Sequence, residues 1–195
     1  MKLQEKSDQE LIHLYIEGQE TGLEKLVSRH KSKIYTSIYM LVKDQYLAED
    51  IFQDTFIKVI NTLKTGKYNE EGKFLPWVLR IAHNLVIDYF RKEKRTPVIT
   101  NGDGFDIFDV LGFYDESIED QMVREQTHQD LRKMIQLLPS EQKEVLIMRH
   151  YGDMSFKEIA DITNVSINTA LGRMRYALNN LRKMFETKEM SIKLF

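Results

Sequence analysis

The residues best suited to chemistry lie near the C-terminus. Within the ten residues after Ser166 the chain carries Asn168, Thr169, Arg173 and Arg175. These side chains recognise partners through hydrogen bonds and ion pairs. Arg suits guanine O6/N7 or a phosphate, Asn pairs with adenine, and Thr meets a phosphate or a thymine methyl. From Ser166 onward there are 6 basic and 2 acidic side chains, net +4, as a phosphate-facing element needs. A second set lies in FLPWVLRIAHNLVIDYFRKEKR (74–95): Trp77, Arg80, Asn84, Asp88 and Arg91. Cations beside Trp77, Tyr89 and Phe90 suit single-stranded nucleic acid, because any base can stack on an aromatic ring. On this segment alone the reading favoured is a helix core of aromatics with a solvated basic end that complements the dipole. A third set is acidic: Glu49, Asp50, Gln53 and Asp54, near the start of YLAEDIFQDTFIKVINTLK (46–64). Acids there favour a helix dipole, or they form a docking patch for a basic partner. Spacing leaves both open.

Bond-making chemistry has little support. Cysteine is absent, which excludes disulfides, thiolate metal sites and a cysteine nucleophile. The five histidines (His13, His30, His83, His128 and His150) are dispersed and form no ligand spacing. No glycine-rich phosphate cradle is present. The expectation is a protein that is not an enzyme and that needs no cofactor or metal. The N-terminal residues lack the apolar run of a signal peptide, and no stretch reaches the roughly 18 apolar residues of a membrane span. A cytoplasmic protein without membrane insertion is expected.

The elements that must position these residues read as helices. Apolar periods near 3.6 residues predict helices over 7–17, 20–42, 46–64, 75–94, 119–137, 141–150, 156–163 and 167–186. In the third, Phe52, Thr55, Phe56, Val59, Ile60 and Leu63 form one face. In the fourth, Val78, Ile81, Ala82, Leu85 and Tyr89 point inward. Ser140 is placed as an N-cap, and Ser155 with Glu158 spells a capping box. The turn Asn164-Val165-Ser166 follows, with Ser166 capping a helix striped by Ile167, Leu171, Met174, Leu178, Leu181 and Phe185. A short capped helix, a tight turn and a longer helix make a helix-turn-helix.

Charge divides the chain. Residues 1–95 carry net +2, residues 96–130 net -8 and residues 131–195 net +4, which together give the overall -2. The acidic segment also holds Pro97 and three of the nine glycines, and it reads as a linker. Its large apolar residues, Phe105, Ile107, Phe108, Val110, Leu111, Phe113 and Tyr114, suggest that parts of it dock on something. The fold expected is all-α: an N-terminal domain over 1–95, an acidic linker over 96–118 and a C-terminal helix-turn-helix domain over 119–195.

At AEDIFQDTFIKV (48–59), GKFLPWVLRIAHNLVIDYFRKEKR (72–95) and LLPSEQKEVLIMRHYGDMSFKEIADITNVSINTALGRMRYALNNLRK (137–183) the chain resembles the extracytoplasmic-function (ECF) group of the sigma-70 family of bacterial RNA polymerase sigma factors. Each stretch is moderately specific; together, in this order and at this spacing, they are highly specific. The resemblance implies a promoter-specificity subunit without catalysis of its own. Its N-terminal domain would dock on the clamp helices of the largest polymerase subunit, with Asp50, Gln53 and Asp54 on the matching surface. The same domain would open the promoter near -10, through the loop 66–73 and Trp77, Arg80, Asn84, Asp88 and Arg91. Ser166, Asn168, Thr169, Arg173 and Arg175 would read the -35 element. The linker would thread toward the active-site cleft and RNA exit path, and an anti-sigma factor would hold the protein inactive. The departures at Ala170, Gly172 and Tyr176 bear on base preference at -35. A conventional helix-turn-helix regulator is the competing expectation.

Overall fold

A computed structural model describes residues 6–69, 73–93 and 130–192. The described residues form helices and turns, with no strand among them, and they fall in two compact units. The 96–118 segment and the boundaries at 95 and 119 lie outside the described residues.

The first unit holds four helices, α1 (Asp8–Ile16), α2 (Glu20–Val42), α3 (Gln45–Lys64) and α4 (Phe74–Glu93). α1 starts on a capping box: Glu10 N–H donates to Ser7 Oγ at 3.3 Å and Ser7 N–H donates to Glu10 Oε2 at 2.7 Å. The backbone bond from Ser7 holds the Glu10 carboxyl below its ordinary range. Gly18, at φ +92°, turns the chain into α2. Gly22 then lets α2 approach the backbone of α1, because a Cβ there would collide with the Leu11 carbonyl. Lys43 in the left-handed region ends α2, and Asp44 Oδ1 accepts from Leu47 N–H at 2.8 Å to start α3.

α2 packs against α1, α3 and α4, and α3 packs against α4. Leu26, Ile34 and Ile38 of α2 are buried with Leu11 and Ile12, Val59 and Leu63, and Val78, Ala82 and Val86. A polar clasp supplements this core. Asp8 accepts from Arg29 at 2.6 Å and pairs with His30 Nε2 at 2.7 Å, and the His30 ring lies 5.6 Å from that of Phe74. Burial lowers the pKa of His30, against the upward pull of Asp8.

The inward faces of α3 and α4 are turned slightly from the sequence expectation. On α3 the buried line is Ala48, Ile51, Thr55, Phe56, Val59 and Leu63, with Phe52 and Ile60 half-buried. On α4 it is Phe74, Leu75, Val78, Leu79, Ala82, His83 and Val86, while Ile81, Leu85 and Tyr89 are half-buried. Thr55 is sealed inside because its hydroxyl donates to the Ile51 carbonyl at 2.7 Å, which satisfies the polar group locally.

The second unit holds α5 (described over 130–136), α6 (Ser140–His150), α7 (Phe156–Thr163) and α8 (Ile167–Ile192). α6 packs on α8 and α7, and α7 packs on α8. Val145, Ile147, Met154, Ile159, Ala170 and Ala177 are among its buried residues. Ser140 does not cap α6 as expected. It is the first helical residue, and its hydroxyl donates to the Glu141 carboxylate at 3.2 Å. The Pro139 carbonyl accepts from Gln142 and Lys143 N–H instead.

Candidate nucleic-acid interface

The helix-turn-helix is built by its caps. Ser155 and Glu158 close the capping box of α7, with Ser155 N–H donating to Glu158 Oε2 at 2.7 Å and Glu158 N–H to Ser155 Oγ at 3.3 Å. Asn164, at φ +53°, ends α7 in the left-handed conformation that Asn tolerates. Ser166 then caps α8: its Oγ accepts from Thr169 N–H at 3.1 Å and lies 2.8 Å from Thr169 Oγ1. Ser166 and Thr169 are exposed, but their hydroxyls are already engaged with each other.

Along α8 the buried line is Ala170, Ala177 and Leu181. The expected stripe is therefore displaced around the helix. Ile167, Leu171 and Leu178 are 47%, 43% and 48% exposed, and Met174 and Phe185 are half-buried. Ala170 and Ala177, with Leu181, take the buried face, while Ile167, Leu171 and Leu178 fall beside it.

This rotation decides which residues face outward. Asn168, Arg175, Tyr176 and Asn179 are exposed, and Gly172, itself half-buried, lies between them on the helix. Arg173 is half-buried, and its charge helps to hold the Glu141 carboxyl down, after the larger effects of Glu141's own backbone and Ser140. Of the two arginines, Arg175 is the more open to solvent, and Arg173 sits toward the start of α6.

On α4, Arg80, Asn84, Asp88 and Arg91 form one exposed row, as spacings of four, four and three require. Asp88 Oδ1 lies 3.6 Å from Arg91. Trp77 heads the row half-buried, packed edge-on against Tyr68 with ring centroids 4.5 Å apart. The loop residue Tyr68 escaped notice as a partner of Trp77, because an aromatic in a polar loop carries no periodic signal. The structure thus gathers the expected α4 residues on one edge.

On α3, Asp50, Gln53 and Asp54 are exposed together. Two apolar residues missed by the sequence reading flank them. Tyr46 is 80% exposed and Ile57 is 55% exposed. Positions 46, 50, 53, 54 and 57 fall on one helical face, so this surface is mixed acidic and apolar. Among the described residues no group of three His, Asp or Glu side chains is placed to hold a metal ion. No helix among them is long and apolar enough to cross a membrane.

Two all-helical units, one of them a helix-turn-helix with an exposed and largely basic last helix, define the class: a modular all-α protein. Family comparisons sharpen this. The sigma-70 region 2 model matches residues 26–96, and the sigma-70 region 4 model matches residues 128–179. The chain belongs to the sigma-70 family of RNA polymerase sigma factors, in the ECF group. It is 27% identical over 170 residues to the ECF RNA polymerase sigma factor SigW of Bacillus subtilis, covering 85% of this chain and 90% of that protein. It is 26% identical over 188 residues to the RNA polymerase sigma-H factor of Pseudomonas aeruginosa, covering 94% and 96%. The sigma factor RpoE of Bartonella quintana, solved with the anti-sigma factor NepR, shares the fold at a TM-score of 0.65 and 19% identity, covering 84% and 96%. CnrH, solved with the cytosolic domain of CnrY, shares it at 0.61 and 18%, covering 93% and 99%. The function that follows is that of an RNA polymerase sigma factor.

Proposed function

We propose that three exposed helix faces divide the work of promoter initiation. The acidic face of α3, with Asp50, Gln53 and Asp54, docks on core RNA polymerase at the clamp helices of its largest subunit. The α4 row Arg80, Asn84, Asp88 and Arg91, with Trp77, engages the -10 element as it opens. The face of α8, with Asn168, Thr169 and Arg175 and with Arg173 at its edge, reads the -35 element, while Ser166 holds the start of that helix. The domains are taken as 1–95 and 119–195, joined by the acidic segment 96–118. The protein itself makes or breaks no covalent bond and acts in the cytoplasm. An anti-sigma factor is a further partner, a reading supported by solved neighbours whose complexes contain NepR and the cytosolic domain of CnrY.

The observation that carries this reading is the outward presentation of Asn168 and Arg175 on a capped helix following a tight turn. Run-off transcription with core polymerase tests it. Specific transcripts are expected only when core and this protein are both present, and Arg175→Ala should reduce them at promoters that depend on -35. A footprint by the free protein equal to that of the holoenzyme would refute the division of labour, since half the site must be melted before it is read.

A further inference from the structure

Nothing among the described residues requires Gly172 to be glycine. It lies inside α8, where glycine is less favourable than alanine by about 1 kcal/mol. Its φ is not positive, so no left-handed turn requires it. Among the described residues a Cβ built on it would meet nothing within 4 Å, so no described helix requires the close approach that Gly22 permits. The position nonetheless falls at the centre of the outward face, one turn from both Asn168 and Tyr176 and beside Arg175. A residue that weakens its helix, and that the folded chain does not need, leaves a gap in the surface expected to meet DNA.

Groove dimensions give the gap a use. A helix with side chains is about 10–12 Å across, and the major groove is about 12 Å wide. Such a helix fills the groove, so each outward side chain limits how deeply it sits. The side chains ringing Gly172 include two short ones, Asn168 and Thr169, which reach base edges only if the helix backbone lies close. A Cβ would stand about 1.5 Å proud of the Cα at the point of closest approach.

We propose that Gly172 is a specificity-determining position: its bare Cα lets α8 seat deeply enough in the major groove for a base edge of the -35 element to pack against the helix backbone. The ligand is duplex DNA, read at one or two adjacent base pairs opposite Gly172. The proposal rests on the reading of α8 as the -35 helix.

The test measures full-length protein with core polymerase on promoter fragments substituted singly across the -35 element. Gly172→Ala and Gly172→Leu are compared with Arg175→Ala. Both glycine variants should fold more stably, and thermal unfolding of the Gly172→Ala chain should rise by about 2–8 °C. Both should bind more weakly, Gly172→Ala by roughly tenfold or more and Gly172→Leu by more again. The loss should be concentrated at one or two adjacent base pairs, with discrimination there reduced. Gly172→Ala binding as tightly as the parent, while Arg175→Ala binds weakly, overturns the proposal and leaves the -35 reading intact. Unchanged binding in all three variants overturns both. A lowered unfolding temperature for Gly172→Ala also overturns it, because the glycine would then serve the fold.

Discussion

Ile57 offers the sharpest test of how α3 meets its partner. It is 55% exposed and lies one turn from Asp54 and Gln53. Truncation to Ala should barely affect the free fold, because more than half of the side chain is already in water. Docking would bury that half. Full burial of an Ile side chain is worth about 1.5–3 kcal/mol, so the exposed share contributes about 0.8–1.7 kcal/mol. That range corresponds to a roughly 4- to 17-fold weaker association with core polymerase. Asp50→Lys and Asp54→Lys should also weaken association, but by a different route. Their effect is electrostatic at an exposed site, where the Debye length falls from about 10 Å at 0.1 M salt to about 3 Å at 1 M. Fluorescence anisotropy titrations of labelled protein with core polymerase, at low and high salt, separate the two. The Ile57→Ala defect should persist at high salt, and the charge-reversal defects should shrink. An Ile57→Ala chain with parental affinity would refute the apolar contribution. Charge-reversal defects that stay constant in salt would refute the electrostatic one.

Three further outcomes are expected. Arg175→Ala should lower the salt slope of promoter binding by roughly 0.9 if one phosphate contact is lost, and Arg173→Ala should lower it less, because Arg173 is half-buried toward α6; binding measured across a salt series checks both. Ser155→Ala should destabilise the second unit by about 1 kcal/mol, seen as an earlier thermal transition, because it removes the acceptor for Glu158 N–H. Burial lowers the pKa of His30 from its ordinary 6.5, so the folded chain binds that proton less readily than the unfolded chain does. Its contribution to stability is therefore complete above pH 6.5 and lost as pH falls through the lowered value; denaturant midpoints for the parent and His30→Gln should converge at acid pH.

The elements were legible in the sequence wherever a local signal fixed them. Ser155 and Glu158 lie three residues apart because the N-cap hydroxyl must reach the N3 amide, and that spacing survives into the structure as hydrogen bonds. Asn164 was legible because the turn requires a residue that accepts positive φ. The resemblance to sigma-70 factors was legible because its motifs span both units. Ser140 was misread because the chemistry of an N-cap was present one residue too late: Pro139 supplies the accepting carbonyl, and Ser140 turns to Glu141. The Tyr68–Trp77 pair was illegible because nothing local records which ring folds back across a loop.

The least legible property was the orientation of α8 around its own axis, and that property governs the site. A stripe of Ile167, Leu171, Met174, Leu178, Leu181 and Phe185 has the right period, but period fixes a helix and not its rotation. Hydrophobicity weighting favoured large residues, whereas close packing favoured small ones. Ala170 and Ala177 lie seven residues apart, two turns along one line, and both are fully buried. An interface lined by methyl groups brings helices nearer than one lined by leucines can, and Leu171 and Leu178 then fall to the flank, while Leu181 stays buried one turn on. Turning the helix this way moves Arg173 from the outer face toward α6 and sets Gly172 at the centre of the outward surface. The two arginines, equivalent on composition, are thereby made unequal, and Gly172 comes to stand between Asn168, Arg175 and Tyr176 on the outward face.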